Sequence, residues 1–231
     1  MNKKVIYTTI FGKYDNLLDD MVVPDDYDLV CFTDININSK KWNIKKEISL
    51  YEDPVRSAKR FKILSHRFLS KYDISVYLDG NISTKVDINS FVNKYLDKSN
   101  AAFYNHLQCN LDPRNCIYRE AEAINHLFNI NPSPKKVPKD DLSIIDMQIK
   151  KYKKMEYPHD NGLICGGVIL RRHNENDCIK VMEDWWKEIK YNSKRDQLSF
   201  NYVAWKNNFK FNYINGDIRT NEIFNFTSHI K

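Results

Sequence analysis

Apolar and polar positions along this chain fall into short runs whose period switches between two and 3.6, the signature of alternating strands and helices. Val5-Ile6-Tyr7-Thr8-Thr9-Ile10-Phe11 is β-branched and aromatic, which predicts a first strand, and Gly12-Lys13-Tyr14-Asp15 ends it. Tyr27 to Asp34 predicts a second strand, also ending on a carboxylate. From Pro54 the apolar residues Val55, Ala58, Phe61, Leu64 and Phe68 recur at helical spacing, on a segment rich in Arg and Lys. Tyr72 to Leu78 is a third strand, stopping on Asp79-Gly80-Asn81. A helix from Ser90 to Leu96, a strand from Ala101 to His106 and a helix entered through Asp112 to Ala121 follow. Residues 131–143 hold three prolines and read as an exposed, mobile loop. Asn161 to Leu170 is a strand interrupted by small residues, Asp177 to Lys190 a helix, and Arg195 to about Trp205 a last helix. The tail, Phe224 to His229, carries no clear element. Strands alternating with helices predict an α/β fold around a mostly parallel sheet. No linker divides the chain, so residues 1–231 are expected to form one domain.

Chemistry concentrates where strands end. Open α/β sheets bind ligands at the carboxyl edge of their strands, which is where Asp79 should lie. Asp79 and Asn81 can hold a hard divalent cation, and that cation a diphosphate; an ordinary strand-to-turn exit has the same composition. Asp34 can accept hydrogen bonds from a base or ribose, or cap the Asn-rich turn that follows it. Arg56 and Lys59, at i and i+3 on the first helix, can clamp a diphosphate or form a solvated basic face. Gly166 and Gly167 weaken a strand unless something approaches its backbone closely, and a sugar or a packed helix would serve equally. Asp196 and Gln197 open the last helix, a favourable place for a carboxylate and also one from which to aim it into a cleft. Ile179, Met182, Trp185, Trp186 and Ile189 read as the buried face of their helix, although Trp186 can also stack on a sugar ring.

The net charge of +6 is compatible with phosphates, with peripheral contact at an anionic membrane surface, or with nucleic acid, and chooses none of them. The basic residues are dispersed, which ranks nucleic acid below the others. No apolar run approaches the roughly 20 residues that cross a bilayer, and Met1-Asn2-Lys3-Lys4 is too polar for the start of a signal peptide. Five cysteines, an odd number with no CxxC pair, point to reduced thiols in a cytoplasmic protein.

Five stretches together resemble a known family: YTTIFGKYD, YDISVYLDGNI, NCIYREA, GLICGGVILRRHN and KRDQLSFNYVAWK. They are similar, in order and over nearly the whole chain, to the glycosyltransferase-like domain family named after plant turgor-regulation and seed-mucilage proteins. The resemblance implies a GT-A-type Rossmann-like α/β/α sandwich that transfers a sugar from a nucleotide-sugar, UDP-linked by expectation, to a glycan, lipid-linked or protein acceptor. It implies a DxD-type site for Mn²⁺ or Mg²⁺ at Asp79 and Asn81, with Asn replacing the second Asp, and His229 as a further ligand. It also implies that Thr8, Thr9 and Tyr14 line the nucleotide pocket with Asp34 at the base or ribose. Arg56 and Lys59 would face the phosphates, Gly166 and Gly167 would floor the sugar site, and Asp196 with Gln197 would reach the sugar or acceptor. Asp196 is the first candidate for a general base, His106 and His173 the next. Two other readings stand beside it: transfer onto modified bases in DNA, and a nucleotide-sugar-binding module without turnover, which Asn81 favours.

Overall fold

The computed structural model describes residues 3–130 and 140–228. Its centre is a seven-stranded sheet in the order β3-β2-β1-β4-β7-β6-β8. The strands are β1 (Lys4–Ile10), β2 (Tyr27–Thr33), β3 (Asn43–Lys46), β4 (Ile74–Leu78), β6 (Ala101–Asn105), β7 (Ile164–Arg171) and β8 (Asn212–Ile214). The β3-β2-β1-β4 half is parallel throughout, and β6 and β8 are parallel to each other. β7 runs antiparallel to both β4 and β6. One reversed strand therefore brings its amino-terminal end to the edge where β1, β2 and β4 end.

Alternation along the central strands sends side chains into two apolar layers. On one face Tyr7, Tyr77, Phe103 and Ile169 pack with Phe61, Trp185 and Phe200. These last three come from α1 (Pro54–Ile63), α6 (Asn176–Tyr191) and α7 (Phe200–Lys206). On the other face Ile6, Ile10, Val76 and Leu170 pack with Val92, Tyr95 and Leu96 of α3 (Asn89–Leu96). The result is the expected α/β/α sandwich. Trp185 and Trp186 are both buried, Trp186 edge-on to Tyr51, so the tandem tryptophans are core, with roughly 1.5–3 kcal/mol gained per large side chain buried.

Several elements depart from the sequence pattern. The long basic helix breaks at Leu64, leaving a single further turn, α2 (Ser65–Phe68). Of the expected mobile loop, residues 131–139 lie outside the described residues. Its end is instead the start of a helix, α5 (Leu142–Lys154), following α4 (Ile117–Ile130) and capped by Asp141, whose carboxylate accepts the Ser143 N–H at 2.8 Å. Ile145, Gln148 and Tyr152 form its buried stripe, diluted in the sequence by the lysines between them. The last helix starts later than expected: Asp196–Leu198 is a 3₁₀ turn ahead of α7. The tail is not featureless, because β9 (Phe224–Phe226) pairs antiparallel with β5 (Ile82–Thr84).

Candidate active site

At the carboxyl edge lies a cavity of about 280 Å³ lined by Thr9, Tyr14, Lys59, Lys62, Asp79 and Asp196, with Tyr77, Gly80, Arg195 and Gln197 among its other walls. Its polar groups form a chain of contacts. Lys59 Nζ lies 2.7 Å from Asp196 Oδ2, and Lys62 Nζ lies 2.8 Å from the same oxygen. Lys62 Nζ also reaches Asp79 Oδ1 at 3.1 Å, to which the Tyr77 hydroxyl donates at 2.8 Å. Thr9 Oγ1 stands 3.2 Å from the Tyr77 hydroxyl.

Local structure explains each position. Asp53 caps α1 and Pro54 begins it, and Lys59 and Lys62 then fall three residues apart, one turn from the helix end. Asp79 follows the last residue of β4, and its N–H donates to the Gly167 carbonyl of reversed β7 at 2.8 Å. Between Phe103 and Tyr104 the β6–β7 register shifts, which places Gly166 and Gly167 in an irregular stretch against the cavity. A Cβ at Gly166 would stand 2.8 Å from Asp196 Oδ2, and one at Gly167 would stand 3.3 Å from Asp79 Oδ2 and 2.9 Å from Ile218 Cδ1. Both glycines are close-approach positions for the site's carboxylates. Asp196 is held from behind by the Trp185 indole N–H, which donates to its carbonyl at 3.2 Å.

The electrostatics follow from this packing. Burial opposes ionisation of Asp196, yet Lys59 and Lys62 outweigh it and hold the carboxyl well below the usual carboxylate range. Burial likewise opposes the charge on Lys62, but Asp196 and Asp79 more than offset it and its pKa is raised. For Lys59 burial prevails over the attraction of Asp196 and the pKa is lowered. The Tyr77 hydroxyl is pushed far up by burial and by Asp79, and stays protonated as a donor. An aspartate gripped by two ammonium groups has little proton affinity, so Asp196 is better placed to hold those lysines than to act as a base.

The sequence-predicted residues divide. Thr9, Tyr14, Lys59, Asp79, Asp196 and Gln197 meet in the cavity, above Gly166 and Gly167. Thr8 is buried but does not line it. Asp34 is taken by the Gly12 N–H, which donates to both carboxylate oxygens at 3.0 and 3.3 Å, and so shapes the loop after β1. Arg56 does not face the cavity: its guanidinium donates to the carbonyls of Ile189, Lys190 and Asn192, capping the carboxyl end of α6. Asn81 is 3% exposed, and its amide donates to the Thr227 carbonyl at 2.7 Å, which leaves only its amide oxygen for a cation. His229 lies outside the described residues. His173 is buried with Nε2 3.0 Å from the Leu69 carbonyl, and neither it nor His106 lines the cavity. The structure adds Lys62 and Tyr77 to the site. Lys62 continues the i, i+3 row from Lys59, and Tyr77 precedes Asp79 by two on the same strand face.

One oxygen of Asp79 is held by Lys62 and Tyr77, and its side chain keeps 36% exposure. Its other oxygen would be crowded by a side chain at Gly167, and a carboxylate oxygen with an amide oxygen is the donor type a hard divalent cation takes.

A parallel-sheet carboxyl edge bearing a cavity lined by carboxylates and lysines defines an α/β protein with a candidate ligand site at that edge. The sequence profile of the TOD1/MUCI70 glycosyltransferase-like domain matches residues 40–229, and the chain belongs to that family. It is 27% identical over 175 residues to the probable hexosyltransferase MUCI70 of Arabidopsis thaliana, a match that takes in 71% of this chain and 27% of that protein. The chain thus spans about a quarter of that relative's length. Among solved structures it is similar to the WbbM bifunctional glycosyltransferase (TM-score 0.49, 11% identity, 93% of this chain and 39% of that one). Mouse xyloside xylosyltransferase 1 also matches (TM-score 0.47, 11% identity, 91% and 84%). So does core-mannan synthase A of Aspergillus fumigatus (TM-score 0.47, 7% identity, 88% and 70%).

Proposed function

We propose that residues 1–231 act as one GT-A-type catalytic domain that transfers a sugar from a nucleoside-diphosphate sugar to a glycan, lipid-linked or protein acceptor. The observation that carries this reading is the Lys59–Asp196–Lys62–Asp79 chain at the sheet's carboxyl edge, in a member of a glycosyltransferase-like family. Glycosyl transfer leaves a diphosphate that must be neutralised as the sugar bond breaks. Lys59 and Lys62 supply positive charge, fixed in place by Asp196. Asp79 and the Asn81 amide oxygen would hold Mn²⁺ or Mg²⁺, with His229 taken from the family resemblance as a further ligand. Such a cation acts as a Lewis acid on the leaving phosphate oxygens. Thr9 and Tyr14 border the nucleotide, and Gln197 borders the sugar or acceptor. The donor nucleotide is proposed as UDP and the setting as cytoplasmic.

The test is a thermal-shift panel of UDP-, GDP-, CMP- and TDP-sugars with and without Mn²⁺, followed by donor hydrolysis. A metal-dependent rise for one nucleotide, lost in Asp79→Asn, is the expected result. No shift with any donor would overturn the reading. The uncharged Asn81, where a DxD-type site has a second carboxylate, favours a second one, a binding module without turnover. A donor shift with neither hydrolysis nor transfer would select it.

A further inference from the structure

Away from the donor cavity, His106, Cys109 and Cys165 bring a ring nitrogen and two sulfurs within 4.8 Å of one another, all three residues buried. The chain builds this cluster locally. Past β6 the Asn105 side chain accepts the Leu107 N–H at 3.0 Å, and the Cys109 N–H returns to the His106 carbonyl at 3.1 Å. That 3₁₀ turn sets residues three apart on one side. Cys165 arrives from β7 opposite Tyr104, with its Sγ 3.3 Å from Cys109 Sγ. His106 Nδ1 accepts the Arg114 N–H at a long 3.3 Å, so this nitrogen carries the ring's lone pair.

We propose that His106, Cys109 and Cys165 form a site for a thiophilic divalent cation, of the zinc class, separate from Asp79. Two sulfurs and an imidazole are the donors zinc prefers and magnesium or manganese does not. Charge balance agrees with burial: two thiolates and a neutral imidazole cancel a 2+ ion, whereas the thiolates alone would be costly there. On binding, each thiol releases its proton to solvent, the neutral imidazole offers one ring nitrogen to the metal, and no electron moves. Asp217 does not join the set. Its Oδ2 accepts the Asn110 N–H at 2.8 Å and its Oδ1 the Arg219 N–H at 2.9 Å. Among the described residues these three side chains are the protein donors of the site. The ion would tie the turn at 106–109 to β7 one residue from Gly166, stiffening the strand that carries both glycines of the cavity. None of this depends on the donor reading.

The test titrates the full chain, held reduced by a phosphine, with cobalt(II). One cobalt per chain should bind, with a thiolate-to-cobalt charge-transfer band and intense tetrahedral ligand-field bands, and zinc should displace it. The bands should persist in Asp79→Asn and be lost in Cys109→Ser and Cys165→Ser. In the unmodified protein zinc should also slow alkylation of Cys109 and Cys165, read by peptide mass, with no effect on Cys31, Cys116 or Cys178. Absence of the charge-transfer band in reduced protein would overturn the proposal, as would bands that vanish in Asp79→Asn or zinc that protects neither thiol.

Discussion

Lys62 shows how a single side chain can organise this site. It is 3% exposed and stands between Asp79 and Asp196, so removing its charge leaves Asp196 with Lys59 and Asp79 with the Tyr77 hydroxyl. Lys62→Met is expected to cost about 3–5 kcal/mol in urea unfolding, the range for breaking a buried pair. Donor turnover should fall about 10²-fold, the cost of losing one fixed donor to a developing charge. Stability lost with turnover unchanged would show that Lys62 serves packing alone. Gly166→Ala tests the neighbouring constraint, since its Cβ would fall 2.8 Å from Asp196 Oδ2. Turnover should drop at least about tenfold, because the lysines would follow the displaced carboxylate. The sequence made the i, i+3 cationic row legible but not its register. Arg56 was the expected partner of Lys59, but carbonyls at the end of α6 claim it, and only tertiary packing reveals that the row faces the cavity one step later.

At the level of elements, His173 ties the end of β7 to the end of α2 through the Leu69 carbonyl, and burial lowers its pKa to about 4. An unfolded His titrates near 6.5, so in this window the unfolded chain takes up a proton that the folded protein refuses. Stability is full above pH 6.5 and is lost as pH falls towards 4. Between pH 7 and 5 the loss should be about 2 kcal/mol by urea unfolding, and His173→Gln should remove that part of the slope. A slope unchanged in the variant would assign the pH dependence to other groups. Strong elements such as β1, β4, β7 and α6 were readable because each buries a continuous run or a clean stripe. α5 was not, since its lysines on the exposed side hide a three-residue buried stripe and the prolines before it suggest a loop. β5 and β9 are three residues each, too short for periodicity, and exist because each completes the other's hydrogen bonds.

Across the whole molecule, the chain's end is joined to the cation candidate in its middle. Thr227 N–H and Oγ1 donate to the Asn81 carbonyl at 2.9 and 3.0 Å, while the Asn81 amide donates back to the Thr227 carbonyl. Phe224, fully buried, packs edge-on against Phe91 and Tyr104 and anchors this return. Two truncations separate anchoring from ligation. Ending the chain at Glu222 removes β9, so Ile82 loses its strand partner and the Phe224 pocket empties. Losing one buried Phe alone costs about 3–5 kcal/mol, and Tm should fall by several degrees. Ending it at Ser228 keeps β9 and the Asn81–Thr227 bonds but removes His229. That chain should melt like the parent without metal, yet lose most of the Mn²⁺-dependent shift with the nucleotide-sugar. An undiminished shift would remove His229 from the ligand set and leave Asp79 and Asn81 to hold the cation alone. A fall in metal-free Tm as large as that of the longer truncation would place the anchor beyond Ser228 instead of at Phe224.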